Sequence, residues 1–138
     1  SIGEVTGTDF TPWIRLVSPS GVILGNSWNT AAAQINVVAT ETGTYTIAVG
    51  TADVGNDGTG NYTLTVAKAP GAFVVSPGDQ GGTISNGVQA GSIAVGDLDM
   101  WSFNATQGSP LTVTVTSVAV TSDYRPSIRV VSPSAARI

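Results

Sequence analysis

Asp53, Asn56 and Asp57 crowd one glycine-rich loop, residues 53–60 (DVGNDGTG). Hard oxygen ligands on such a loop suit a calcium ion. The spacing is not that of an EF-hand, whose loop closes on a glutamate. The same residues also make good turns and can supply the positive-φ positions of a hairpin loop. Two expectations therefore stand side by side, a calcium site and a plain hairpin turn. A second carboxylate pair, Asp97 and Asp99, lies two residues apart in a strand-like segment and so on one face. Paired carboxylates can run glycoside hydrolysis, but aspartates at such positions commonly shape the turn that enters a strand. The chain has no His and no Cys, which removes the usual nucleophile–base pairs and the common zinc ligands. It is expected not to be an enzyme and to carry no cofactor beyond that calcium.

Other residues point to contact rather than catalysis. Pro12 and Ile14 alternate toward a core, which sends Trp13 outward beside Arg15. Trp and Arg are both enriched where interfaces concentrate their binding energy. The alternative is a Trp lying against a neighbouring loop. Trp28 is expected in a polar loop, NSWNT, where it could stack on a carbohydrate, so a surface or polysaccharide ligand is one expected partner. Asn61-Tyr-Thr and Asn104-Ala-Thr fit the N-glycosylation pattern.

The elements that must position these residues are organised by a repeat. Residues 9–20 (DFTPWIRLVSPS) return as residues 123–134 (DYRPSIRVVSPS), an offset of 114. Asp, Pro, Ile, Arg, Val and the Ser-Pro-Ser end recur in register, so repetition governs how the rest is read. Trp13 becomes Ser127, which means the unit does not require that Trp. Ile128, Arg129 and Val130 repeat Ile14, Arg15 and Leu16. One structural unit ends and another begins within the chain.

Between the copies the pattern is almost wholly β. Period-2 alternation runs through residues 12–17, 34–39, 44–49, 61–67, 100–105, 111–118 and 127–131, bounded by Gly, Asn, Asp and Pro. The core predicted from it includes Ile14, Leu16, Ile35, Val37, Tyr45, Ile47, Tyr62, Leu64, Val66, Trp101, Phe103, Val113 and Val115. Ser18-Pro-Ser-Gly21 should turn the first strand into a short return strand near Val22–Leu24. Residues 69–82 (APGAFVVSPGDQGG) read as a linker, because Pro70, Pro77 and the glycines discourage pairing. This divides the chain into residues 1–68, the later part of one sandwich, and 83–138, the earlier part of the next. The fold class is all-β, an antiparallel β-sandwich of jelly-roll or Ig-like type whose strands are shared between successive repeats or subunits.

Composition narrows the partners. Charged residues are 10% of the chain and hydrophobic ones 41%, which argues for a packed fold over disorder. The net charge is −4 and Lys68 is the one lysine. No basic stripe exists to neutralise phosphates, so neither nucleic acid nor an anionic membrane surface is an expected partner. No apolar run approaches the length of a membrane span. The chain does not begin with Met, and Ser1 is expected to be a processed or excerpted start. A cysteine-free, Thr/Gly-rich β composition suits an extracellular or cell-surface protein.

The order of the segments carries a resemblance. Residues 91–105 (GSIAVGDLDMWSFNA), 108–116 (GSPLTVTVT) and 123–134 come first, followed by 39–50 (ATETGTYTIAVG) and 58–66 (GTGNYTLTV). In that permuted order the chain resembles the bacterial pre-peptidase C-terminal domain, a small β-sandwich of secreted proteases and large cell-surface proteins. The resemblance implies a non-catalytic module, with residues 97–99 as a turn. Some domains of that family bind calcium, but their ligands do not map onto this loop. The permutation leaves three arrangements: a window on a tandem array, a closed circular permutant, or subunits that donate strands to one another. One copy of the repeated strand is surplus to a single domain, and an unpaired strand is a hazard unless another chain or repeat takes it. Copies of itself, joined head to tail, are therefore the main expected partner. The functional expectation is an extracellular fibre subunit or repeat, with Trp13, Arg15, Ile128, Arg129 and Val130 at its contacts. Its rival is a binding appendage of a secreted hydrolase.

Overall fold

The computed structural model describes residues 2–55, 57–118 and 125–138. Among them there is no helix, and so none long and apolar enough to cross a membrane. The strands are β1 (Ile2–Thr8), β2 (Pro12–Val17), β3 (Ile23–Trp28), β4 (Ala32–Ala33), β5 (Thr46–Thr51), β6 (Thr59–Leu64), β7 (Gly81–Thr83) and β8 (Met100–Ser102). The chain divides into two compact units, Ser1–Ala67 with Ala90–Asp99, and Lys68–Gln89 with Met100–Ile138.

The first unit holds two antiparallel three-stranded sheets, ordered β4-β1-β6 and β3-β2-β5. Alternation in β2 is the reason they pack: Pro12 and Ile14 are buried, while Trp13 and Arg15 on the other face are only half-buried. Ile14 meets Ile2 of β1, Ala33 of β4 and Phe10 in one cluster, with Ile35 and Val49 against it. Burying Ile2, Phe10 and Ile14 contributes about 1.5–3 kcal/mol each. Phe10 also stacks on Tyr62 at 6.4 Å between ring centroids. Residues 90–99 close on the same unit through glycine. A Cβ on Gly3 would stand 2.8 Å from the Gly96 backbone, and Thr65 Oγ1 donates to the Gly96 carbonyl at 3.2 Å.

A corner leads into β5. The Tyr45 hydroxyl donates to the Glu41 carbonyl at 2.9 Å and accepts from the Glu41 amide at 3.1 Å. The tyrosine holds the backbone four residues upstream, so β5 begins only at Thr46, two residues later than the alternation predicts.

The second unit is built differently. β7 and β8 pair in parallel, Gly82 opposite Trp101. β7 starts inside the stretch expected as a linker. Residues 130–138 make a hairpin through the Val131–Arg137 bridge and an Ile138 amide bond to the Val130 carbonyl at 3.1 Å.

Three expected strands are absent among the described residues. Residues 34–39 lie beyond the two-residue β4, residues 111–118 join no ladder, and residues 127–131 contribute Val131 alone. Alternation marks two faces of a segment, but a strand also needs a partner for its backbone groups. The expected core shrinks for the same reason. Val37, Ile47, Tyr62, Leu64, Val66, Phe103, Val113 and Val115 are exposed, while Ile2, Phe10 and Ala33 are buried instead. Apolar side chains of the alternating segments therefore stay uncovered, Val66 at 65% exposure among them.

Candidate interaction surface

The repeated segments build the same turn twice. In the first, the Ser18 amide donates to the Val22 carbonyl at 2.8 Å, the Gly21 amide to the Ser18 carbonyl at 3.0 Å, and the two serine hydroxyls meet at 2.9 Å. In the second, Ser132 and Ala136 make the first bond at 2.8 Å, Ala135 and Ser132 the second at 3.0 Å, and Ser132 and Ser134 the third at 2.9 Å. Each leading serine also accepts through its hydroxyl, from the Val22 amide at 3.2 Å and the Ala136 amide at 3.1 Å. The pairing of Val17 with Ile23 recurs as Val131 with Arg137.

The surroundings of the two turns differ. Glu41 closes the first, accepting from the Ser20 amide at 3.1 Å and the Ser20 hydroxyl at 2.7 Å. The serine hydroxyl holds the Glu41 carboxyl below its ordinary range. β2 is then flanked on both sides, by β3 and β5. In the second copy Ile128 is 49% exposed, Arg129 is exposed and Val130 is half-buried.

Trp13 lies on the outer face of β2, as expected, and the structure adds its company. It is paired in register with Trp28 on β3 and with Gly50 on β5. Its ring covers Gly50, where a Cβ would come within 3.4 Å. The Arg15 guanidinium stands 5.0 Å from the Trp13 ring centroid, a cation–π distance, and its Nε donates to Asn26 Oδ1 at 2.7 Å. Trp28 belongs to a strand rather than to the polar loop expected, and is 64% exposed. The register slip between Leu16 and Val17, invisible in the sequence, sets Trp28 opposite Trp13.

In the aspartate loop, Asp53 is engaged from within. Oδ1 accepts from the Thr51 hydroxyl at 2.5 Å and Oδ2 from the Asp57 amide at 3.0 Å. These donors, Thr51 first, lower its pKa to about 2. Asp57 is exposed, and Asn56 lies outside the described residues. Asp97 serves its own turn. Its carboxylate accepts from the Leu98 amide at 2.7 Å and the Ala94 amide at 3.4 Å.

Comparison of the chain with protein-family models, curated proteins and solved structures finds no match.

Proposed function

We propose that this chain is a non-catalytic structural unit of an extracellular, adhesive fibre, joined head to tail to further copies or repeats by shared β-strands. The observation that carries the reading is the second Ser-Pro-Ser turn. Residues 131–137 repeat the turn of residues 17–23 and its hydrogen bonds, yet Ile128 beside them is half exposed. A segment that folds like β2 is suited to the flanking strands that β2 has. Residues 111–118 alternate as strands do and join no ladder, while Tyr62, Leu64 and Val66 on and after β6 are exposed. Strands after Asp99 of one unit would complete the sandwich of the next. Main-chain bonds would then supply affinity and alternating side chains the register. A head-to-tail contact that does not close on itself propagates as a filament.

The Tyr45–Glu41 corner supports a Greek-key, Ig-like sandwich for each completed unit, since a tyrosine bonded to backbone just upstream marks such corners. The similarity in segment order to pre-peptidase C-terminal domains supports the same reading and a cell-surface setting. Calcium on the Asp53 loop remains an optional part of it. The test is self-association. Sedimentation velocity over a concentration series should show the 138-residue chain growing into chains of subunits, with amides of residues 111–118 and 127–131 gaining exchange protection. A chain that stays monomeric throughout overturns the proposal.

One observation favours a second reading, a polymer-binding appendage of a secreted hydrolase. Trp28 is exposed beside Trp13 on one sheet face. Retention on insoluble polysaccharide that is lost in Trp28→Ala would support it.

A further inference from the structure

Charge is distributed unevenly along the chain. In the first unit Arg15 is the single cation against seven carboxylates, a balance of −6. Arg125, Arg129 and Arg137 all fall within residues 125–138, which hold no acidic side chain, a balance of +3.

Both charges are focused. In β2 and β3, Trp13, Arg15, Val17 and its partner Ile23 share one face. The offset of 114 gives Arg129, Val131 and Arg137 the sequence positions of Arg15, Val17 and Ile23, and of that arrangement the Val131–Arg137 bridge is formed. Arg125 and Arg129 precede that bridge in the chain and are exposed. On the first unit, the Asp9 backbone, Asp53 and Asp57 meet where β5 gives way to β6. The Asp9 carbonyl and the Asp53 carboxylate both lie against Gly58, and Asp53 holds the Asp57 amide. Asp9 and Asp57 are exposed.

We propose that the arginine-bearing hairpin of one copy, residues 125–138, docks on the acidic loop end of a second copy, at Asp9, Asp53 and Asp57, and so sets the head-to-tail polarity of assembly. The inference rests on the strand-sharing reading and deepens it by naming the surfaces that meet. A second copy is the occupant because each of the two opposite charges is complemented within the same sequence. Exposed ion pairs contribute little each. The contact therefore orients and accelerates encounter, while apolar burial holds the joint. Like-charged ends repel, which disfavours head-to-head joints.

The test uses sedimentation velocity of the whole chain at about 20 mM and about 500 mM NaCl, where the Debye length falls from roughly 20 Å to a few ångströms. Association should weaken about tenfold at the higher salt. R125E/R129E/R137E alone and D9N/D57K alone should each associate about tenfold more weakly, with circular dichroism unchanged. An equimolar mixture of the two should recover pairwise association, because the intact arginine hairpin of the second variant meets the intact acidic loop of the first. Asp53 is left intact because it closes its loop. Association indifferent to salt and to all these changes overturns this inference and leaves strand sharing standing. No association of the unaltered chain at either salt overturns both.

Discussion

Ala135 holds at φ 68° the backbone position that Gly21 holds at φ 86° in the first Ser-Pro-Ser turn. The hydrogen bonds around the two residues match, and nothing lies within 4 Å of where a Gly21 Cβ would be. The difference is therefore one of backbone strain alone. An L-residue in the left-handed region costs about 1 kcal/mol relative to glycine. Gly21→Ala should destabilise the first unit by about that amount, read as a lower urea midpoint. Ala135→Gly should increase amide protection at Ser132 and Ala136.

How far this fold could be read from sequence depends on whether a segment finds its partner. β2 was legible to the residue, because Pro12–Val17 alternates cleanly and both neighbours are present. Residues 111–118 alternate just as well and form no ladder. β1 was not legible, since Gly3 and Gly7 make IGEVTGT look like a loop. Gly3 is there for close approach to Gly96, a contact across some ninety residues that local pattern cannot express. Ile2 was missed from the core for the same reason. Of the candidate surface, Trp13 and Arg15 were legible from alternation. Trp28, Asn26 and Gly50 joined them only through strand register.

The Tyr45 corner gives a second expectation. Tyr45→Phe keeps the ring but removes both hydroxyl bonds to the Glu41 backbone. The loss should be about 1–2 kcal/mol, part of it from leaving backbone groups unmatched. Because Glu41 also closes the Ser20 turn, the Ser20 amide should exchange faster in the variant. Unchanged exchange there would separate the corner from the turn.

Acid sensitivity should trace to Asp53. Its pKa falls from the ordinary 3.8 to about 2, chiefly through the Thr51 hydroxyl. A carboxyl whose pKa is depressed by folding stabilises the fold above its unfolded value and loses that contribution as pH drops through the folded one. Stability should therefore decline between about pH 4 and pH 2. Asp53→Asn should show less of this decline. Denaturation midpoints at several pH values in that window would show it, and parallel curves for the two proteins would count against the assignment.

The Trp13 face is open to a spectroscopic test. Trp28 is 64% exposed, whereas Trp13 is half-buried over Gly50 and beneath Arg15. Trp28→Phe should remove most of the acrylamide-quenchable fluorescence contributed by this pair, and Trp13→Phe much less. Arg15→Met should cost about 0.5–1 kcal/mol, the value of an exposed cation–π contact.

The last expectation concerns the seat of residues 90–99. Gly3 and Gly96 meet backbone to backbone, and a Cβ at Gly3 would stand 2.8 Å from Gly96 Cα and N and from the Val95 carbonyl. Backbone cannot rotate aside as a side chain can, so Gly3→Ala must push the two segments apart. A cost of about 1–3 kcal/mol is expected, as for other overpacked sites. The Thr65 hydroxyl bond to the Gly96 carbonyl should weaken with it. Since β1 pairs with both β4 and β6, the first unit should survive while residues 90–99 come loose. Hydrogen exchange distinguishes the cases: faster exchange confined to residues 93–98 supports the seat, whereas uniform loss of protection across β1 and β6 would mean that Gly3 serves the sheet itself. In the fibre reading these residues lead into the strands that pass to a neighbour, so Gly3→Ala should also weaken self-association without touching either charged surface.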